Sequence, residues 1–442
     1  MKTFAHGLKD LKHHKGATEA LSLVEMFVPK RVVLPMMQNL GVPAEPLVKV
    51  GDEVTEGQRI ADSSKFVSAP IHATIAGKIA KIDKLPHPTG VNVLSVVIEG
   101  SGEAAPAARC ELPVQPDSIA ADELRKAVRE AGIVGLGGAA FPTHVKLSPP
   151  AEKKIDTVII NGCECEPFIT IDHRLMLERT EDLIFGARLV ARAVGASRII
   201  FGIENNKPDA IAKIKAALDG KDIAQQAEVV SLKAKYPQGG EKMLIKAILN
   251  REVPSNGGLP MDVGVVVQNV GTAVAIAEAL RFGKPLIERA VTVTGSAVRE
   301  PKNLIVRIGT SCEDVLQQCG GLNEDAAKVV MGGPMTGFAL SSLDVPVIKG
   351  TSCILALSRK DTRIYEEGDC IRCGRCIRAC PVGLMPNYLA IFTKRKNWDK
   401  LKEYHVTDCF ECGCCTYVCP SRIFLVHYFK VAKRELQLRK AL

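Results

Sequence analysis

Cys370, Cys373, Cys376 and Cys380 stand in the run CIRCGRCIRACP, and Cys409, Cys412, Cys415 and Cys419 repeat the same spacing in CFECGCCTYVCP. Three thiols set two residues apart can curl round one corner of an iron–sulfur cube. The fourth, set off by three residues and followed by proline, turns away and reaches a neighbouring cube. The spacing therefore assigns Cys370, Cys373, Cys376 and Cys419 to one 4Fe–4S cluster, and Cys409, Cys412, Cys415 and Cys380 to a second. Zinc sites commonly pair two separate Cys-x2-Cys knuckles, so a triple run ending in Cys-Pro fits zinc poorly. Cys414 falls outside the ruler and reads as a free thiol beside the second cluster.

Fifteen cysteines occur in the 442 residues, nine of them between Cys370 and Cys419. Clustering of this kind in a chain without a secretion signal argues for metal rather than disulfides. The opening MKTFAHGLKDLKHHKG lacks an apolar signal core, and no apolar run approaches the roughly 18 residues of a membrane span. A cytoplasmic protein is expected. The length implies several domains, and 46% hydrophobic and 24% charged residues suit a soluble fold. The net charge is +9, with a basic stretch at the end, SRIFLVHYFKVAKRELQLRKAL, whose apolar residues recur at helical spacing. That stretch reads as a helix packed on its own domain, with its basic face available to a partner. Nothing resembles a base-reading module, so nucleic acid is not expected.

The elements that would position a reaction lie upstream. A leader spans 1–39. Residues 40–105 alternate short β-branched runs with glycine turns, in two halves that look like related hairpins. They resemble a lipoyl- or biotinyl-carrier barrel, in which Lys65 of DSSKFVSAP would stand near the modified tip. Its flanking residues suit a carrier poorly, so a structural barrel is expected. Over 115–285, strand-like IDTVIIN, RIIFGI, AEVVSL and VGVVVQN alternate with helical stretches. This implies a parallel sheet covered on both faces, with ligands at the carboxyl ends of the strands. Residues 286–358 return to β-type sequence, 359–425 hold the cysteine motifs, and 426–442 form the basic terminal helix. The fold class is thus multidomain α/β and α+β.

Four loops should meet at one edge of the parallel sheet. GLGGAAFPTHVK (135–146) is glycine-rich, so its backbone can lie against a planar ring or a phosphate. Asn161 ends the first strand in NGCECEP and Asn269 the last in QNVGT, where the Thr272 hydroxyl could cap the following helix. YPQGGEK (236–242) places another glycine pair before a helix.

GLGGAAFPTHVK is similar to the flavin loop of the 51-kDa flavoprotein family of respiratory complex I. The resemblance implies FMN contacts at Gly135, Gly137, Gly138, Asn161, Glu164, Tyr236, Gly239, Asn269 and Thr272. It also implies that Phe141, Lys146, Glu166 and Glu241 shape the entrance for NAD(H). Ala140 departs from that family's usual glycine, and its methyl could crowd the ring. Cys163 and Cys165 flank Glu164 and read as two buried thiols.

The order of carrier-like barrel, flavin domain, β-grasp (SLBB) domain and two-cluster ferredoxin resembles the RnfC family of Rnf electron transport complexes. That resemblance implies electron transfer between NAD(H) and two 4Fe–4S clusters through FMN. It also implies a peripheral place on the cytoplasmic face of the membrane, beside integral and iron–sulfur Rnf subunits, in a complex moving Na+ or H+. A soluble flavoprotein such as a cobalamin reductase shares these modules in another order. An electron wire whose flavin fold has lost its cofactor is a third reading. The His13–His14 pair reads as solvated, Cys312, Cys319 and Cys353 as core thiols, and Trp398 as a packing residue.

Overall fold

Runs of buried β-branched residues build three of the four successive units in the computed structural model, and the fourth is helical. The structure describes residues 1–103, 118–220, 222–362 and 365–441, without the side chains of residues 440 and 441. The expected domain limits at 105 and 115 lie outside the described residues. Among those described, no helix is long and apolar enough to cross a membrane.

The barrel starts earlier than its glycine turns suggest. Arg31–Pro35 is its first long strand and pairs antiparallel with Asn92–Glu99, which pairs in turn with Gly77–Pro86. A second small sheet joins Glu45–Pro46, Arg59–Asp62 and Ile71–His72. Lys65 is exposed at the connection between the last two. That connection is held down: the Phe66 carbonyl lies 3.0 Å from His144 Nε2, and the two rings meet edge-on at 5.5 Å. A swinging carrier arm would need this tip free.

The leader is not a loose extension. Leu8 and Tyr236 exchange backbone hydrogen bonds of 2.8 and 3.0 Å. The Lys235 ammonium donates to the Phe4 carbonyl at 2.7 Å, and Lys15 is buried. His13 is half-buried, its pKa lowered by that burial and by Lys15, while exposed His14 stacks on Phe168 at 4.7 Å. The pair is therefore packed on the protein surface rather than fully solvated. Leu23–Glu25 joins the β-grasp sheet beside Lys302–Arg307.

In the α/β unit, Thr157–Gly162, Arg198–Glu204, Ala227–Leu232 and Val265–Asn269 form one parallel sheet. The third strand lies beside the second, the second beside the first, and the fourth on the first strand's other side. Strand order thus reverses between Thr157–Gly162 and Val265–Asn269, the point where a crevice opens at the carboxyl ends of such sheets. Asn161 and Asn269 are direct neighbours in register there. The helix Val270–Phe282 leaves that point with Asn269 as its cap, the side-chain oxygen accepting from Gly271 N at 2.8 Å and Thr272 N at 3.4 Å. Thr272 does not serve as the cap: its buried hydroxyl accepts from Leu136 N at 2.9 Å and ties the glycine loop to this helix. Gly186 lets Thr180–Val194 pack closely on the same helix, since a Cβ there would lie 1.9 Å from the Ala273 carbonyl oxygen.

The β-grasp sheet centres on Glu288–Thr294, flanked by Lys302–Arg307 and Cys353–Ser358. Cys312, Cys319 and Cys353 are buried. The cluster unit has its own core, to which the terminal helix Leu425–Ala441 contributes Leu425, Phe429, Ala432 and Leu436, one apolar stripe. The stripe faces its own domain, and Lys433 donates to the Cys409 carbonyl and to Glu411, so this part of the basic tail is engaged internally. Arg439 lies over the Trp398 ring at 4.9 Å.

Buried cations staple the units together. Lys349, from the β-grasp unit, donates to the Pro70 carbonyl of the barrel at 2.6 Å and to the Gly132 carbonyl of the α/β unit at 2.7 Å. Burial lowers its pKa to about 7. Lys349→Met would leave both carbonyls without this donor, at about 2–3 kcal/mol. Thermal unfolding should show a clearly lowered midpoint, and an unchanged midpoint would contradict the staple.

Candidate electron-transfer site

A cavity of about 640 Å³ opens at the strand-order reversal, within the range usual for ligand sites. Gly137, Gly138, Asn161, Glu164, Glu166, Tyr236, Gly239 and Asn269 line it, eight of the residues singled out from sequence. Gly135, Phe141, Lys146, Glu241 and Thr272 do not. Gly135 closes the loop, donating to the Phe141 carbonyl at 2.8 Å. Lys146 and Glu241 form an ion pair with each other.

The glycine loop fits a flat ligand. Gly138 has φ +113, a backbone only glycine adopts readily, and no atom within 4 Å of where a Cβ would sit. Ala140 lies on the same wall, also left-handed at φ 49. An alanine there carries strain of about 1 kcal/mol, which gives glycine at this position a physical reason. Arg289, buried, holds the loop from behind through the Leu136 carbonyl at 3.3 Å, and desolvation lowers its pKa to about 10.

The two strand-end asparagines shape the crevice through their side-chain amides. Asn161 Nδ2 donates to the Gly239 carbonyl at 2.8 Å, and Asn269 Nδ2 to Asp172 at 2.6 Å. Desolvation, then the neighbouring Glu164, pushes the Asp172 carboxyl up to about 7. Glu164 accepts from Asp172 N at 2.6 Å, and the buried Lys15 ammonium lies 3.7 Å from its other oxygen. Lys15 also donates to the carbonyls of Glu164, Glu166 and Ile169, which fixes the segment carrying both carboxylates. Cys163 is buried, and Cys165, half-buried on the cavity wall, accepts from Gly239 N at 3.3 Å. Burial raises both thiols, so they stay protonated.

Several lining residues were not singled out from sequence. Glu166 accepts from the backbone of Met335 at 2.7 Å and Thr336 at 3.2 Å. This draws the β-grasp turn containing Gly332 and Gly333 over the cavity. A Cβ on Gly333 would sit 2.1 Å from Glu166, so the glycines of MGGPM were the available signal. From the barrel come Gln38, Asn39 and His87, which no periodicity marks. Gln38 Nε2, Asn39 Oδ1 and Glu164 Oε2 are buried without hydrogen-bond partners. The Lys15 ammonium faces Glu164 Oε2 at 3.7 Å, so one donor and one acceptor, Gln38 Nε2 and Asn39 Oδ1, remain without a partner among the residues of this wall, as a ligand with a polar edge requires.

The cysteines of the two motifs line two further cavities. A second cavity, about 220 Å³, is lined by Cys370, Cys373, Cys376 and Cys419. A third, smaller one is lined by Cys380, Cys409, Cys412 and Cys415, with the extra thiol Cys414. Each set takes three thiols from one motif and the fourth from the other, so the residues present fit two cubanes. Cys412 and Phe410 also line the large cavity. The Tyr236 hydroxyl donates to the Cys412 carbonyl at 2.7 Å, and Gly240 leaves room for the Phe410 ring.

Four family descriptions match this architecture in order: the RnfC barrel sandwich hybrid domain over residues 2–103, the Nuo51 FMN-binding domain over 128–278, the SLBB domain over 290–339 and the 4Fe-4S dicluster domain over 369–423. The chain is 47% identical over 414 residues, 92% of its length and 88% of the relative's, to the C subunit of the proton-translocating ferredoxin:NAD(+) oxidoreductase complex of Clostridium ljungdahlii. It is 45% identical, over 98% of its length and 97% of the relative's, to the Na(+)-translocating counterpart of Acetobacterium woodii. With the C subunit of the ion-translocating oxidoreductase complex of Rhodobacter capsulatus, identity is 41% over 84% of this chain and 72% of the relative. A solved NAD+-reducing NiFe hydrogenase in the H2-reduced state shares the fold, with a TM-score of 0.50 at 19% identity over 73% of this chain and 61% of that one. An FMN-binding domain and a two-cluster 4Fe–4S domain, joined to an RnfC barrel and an SLBB domain, make this chain a member of the RnfC family of ion-translocating oxidoreductase complexes.

Proposed function

We propose that this chain exchanges electrons between NAD(H) and ferredoxin-linked partners, as the peripheral subunit of an ion-translocating complex on the cytoplasmic face of the membrane. When bound, FMN takes hydride from a nicotinamide and passes electrons singly, and each cubane carries one. The observation that carries the reading is that Cys412 belongs to both the second thiol cavity and the wall of the large one. A two-electron site and a one-electron site therefore share a wall.

The chain's own groups supply position and exclusion. Gly137 and Gly138 would present backbone to the ring, while Gln38 Nε2 and Asn39 Oδ1 would answer its polar edge. Asn161, Gly239 and Asn269 set the floor of the crevice. Phe141, Lys146 and Glu241 stand off the wall, and in this reading they border the nicotinamide approach. The β-grasp turn held by Glu166 covers the site on one side and limits water. A cluster held by Cys380, Cys409, Cys412 and Cys415 would stand between the large cavity and a cluster held by Cys370, Cys373, Cys376 and Cys419, because only the former set reaches the wall of that cavity.

Two outcomes follow. Cys412→Ala, purified anaerobically, should keep its FMN and its NADH-driven reduction of ferricyanide, yet lose reduction of both clusters by NADH. Reduction of the Cys370 cluster at the normal rate would contradict the order. Ala140→Gly relieves the left-handed turn and should hold FMN at least as tightly on dilution. Ala140→Val, β-branched at the same φ, should empty the site and cost at least about 2 kcal/mol of stability. Flavin lost from the glycine variant would contradict the placement of this loop.

A further inference from the structure

The two cysteine motifs are conformational copies with different neighbours. Arg372 and Glu411 occupy the same place in each ruler and share left-handed φ values of 56 and 62. Gly374 and Gly413 follow at φ 69 and 81, each opening a short helix, Arg375–Ala379 and Cys414–Tyr417. The second copy is a docking loop. Phe410 sits against Gly240, where a Cβ would come within 3.3 Å of the ring. The Cys412 carbonyl accepts from Tyr236, and a Cβ on Gly413 would lie 3.0 Å from the Met335 carbonyl oxygen. By these contacts the loop brings its cluster to the flavin cavity.

The first copy presents the same loop to solvent. Ile371, in the place of Phe410, is 68% exposed, and Cys370 is exposed where Cys409 is half-buried. A Cβ on Gly374 would meet within 4 Å only the chain's own Arg378. The charges differ as well. Where the second copy has Glu411, Cys414 and Tyr417, the first has Arg372, Arg375 and Arg378, all exposed. From Cys370 to Trp398 there are six basic residues (Arg372, Arg375, Arg378, Lys394, Arg395 and Lys396) and no Asp or Glu. Glu366, Glu367 and Asp369 precede the loop, and Glu367 is paired with Lys394.

We infer that the Cys370–Cys376 loop is the mirror docking loop, and that it seats an acidic redox protein with Ile371 at the centre of the contact and the arginines around it. An apolar centre with a charged rim is how transient redox partners meet, and opposite charge sets their encounter rate. The inference rests on the proposed relay, because the first cluster is its outer end. The step is electron transfer alone: NADH gives two electrons and releases NAD+ and a proton, and two acceptor molecules take one electron each.

Rubredoxin, a small acidic iron protein, and basic cytochrome c serve as one-electron probes with the full, cofactor-loaded chain. Ferricyanide reduction by NADH checks the flavin end, and its failure in wild-type protein would sink the proposed function rather than this surface. In Arg372→Glu/Arg375→Glu, with both cluster EPR signals present, rubredoxin reduction should fall about tenfold or more, and cytochrome c reduction should not fall. In wild-type protein, rubredoxin reduction should slow as salt rises from about 20 mM to about 300 mM. That measurement decides the matter if the variant does not load its clusters. A rubredoxin rate unchanged in the variant, or insensitive to salt in the wild type, would overturn the inference.

Discussion

The contact between the Cys409–Cys415 loop and the open end of the parallel sheet is the constraint on which the rest depends. A hydride site and a cubane are useful to each other only when they share a wall held at one geometry. Here three kinds of contact hold it: the Tyr236 hydroxyl on the Cys412 carbonyl, the Phe410 ring beside Gly240, and Gly413 beside Met335. Tyr236 and Gly240 belong to one loop and Met335 to the β-grasp turn, so two separate segments grip the cluster loop. The leader reinforces the joint, since Leu8 and Leu11 pack with Tyr236, Ala379 and Cys414 in one small apolar cluster.

Buried cations explain how the barrel, α/β and β-grasp units, with different folds, act as one frame. Lys15, Lys207, Arg289 and Lys349 all donate to backbone carbonyls across unit or segment boundaries rather than serving mainly as ion-pair partners. A lysine or arginine can satisfy several carbonyls at a junction where no secondary structure continues. The barrel, α/β and β-grasp units also share a continuous apolar core. The barrel thereby gains a role: Gln38, Asn39 and His87 reach the large cavity, and its tip is held against His144.

Local chemistry was legible in the sequence where spacing alone determines it. The cysteine ruler implies that each set of ligands borrows its fourth member from the other motif, and the two thiol cavities have that composition. The parallel sheet was legible too, because three of its four strands are buried on both faces and read as apolar, largely β-branched runs. Contacts between distant segments were not. Gln38 and Asn39 precede any glycine signal, and Arg31–Pro35 precedes the barrel's visible hairpins, since its partner strand lies some sixty residues on. Thr272 looked like a helix cap, but Asn269 sits one turn earlier with the better geometry, leaving the threonine hydroxyl for Leu136. His13 and His14 looked solvated because nothing local announces that Phe168 will meet them.

On the proposed relay, electrons pass between the nicotinamide site and the exposed first cluster through the second one. Anaerobic mixing of the loaded protein with NADH, sampled by rapid freezing and read by EPR, follows both clusters separately. The signal of the cluster held by Cys380, Cys409, Cys412 and Cys415 should rise with flavin reduction and ahead of the other. Intact clusters that stay oxidised while the flavin is reduced, or a first cluster that is filled before the second, would contradict the relay.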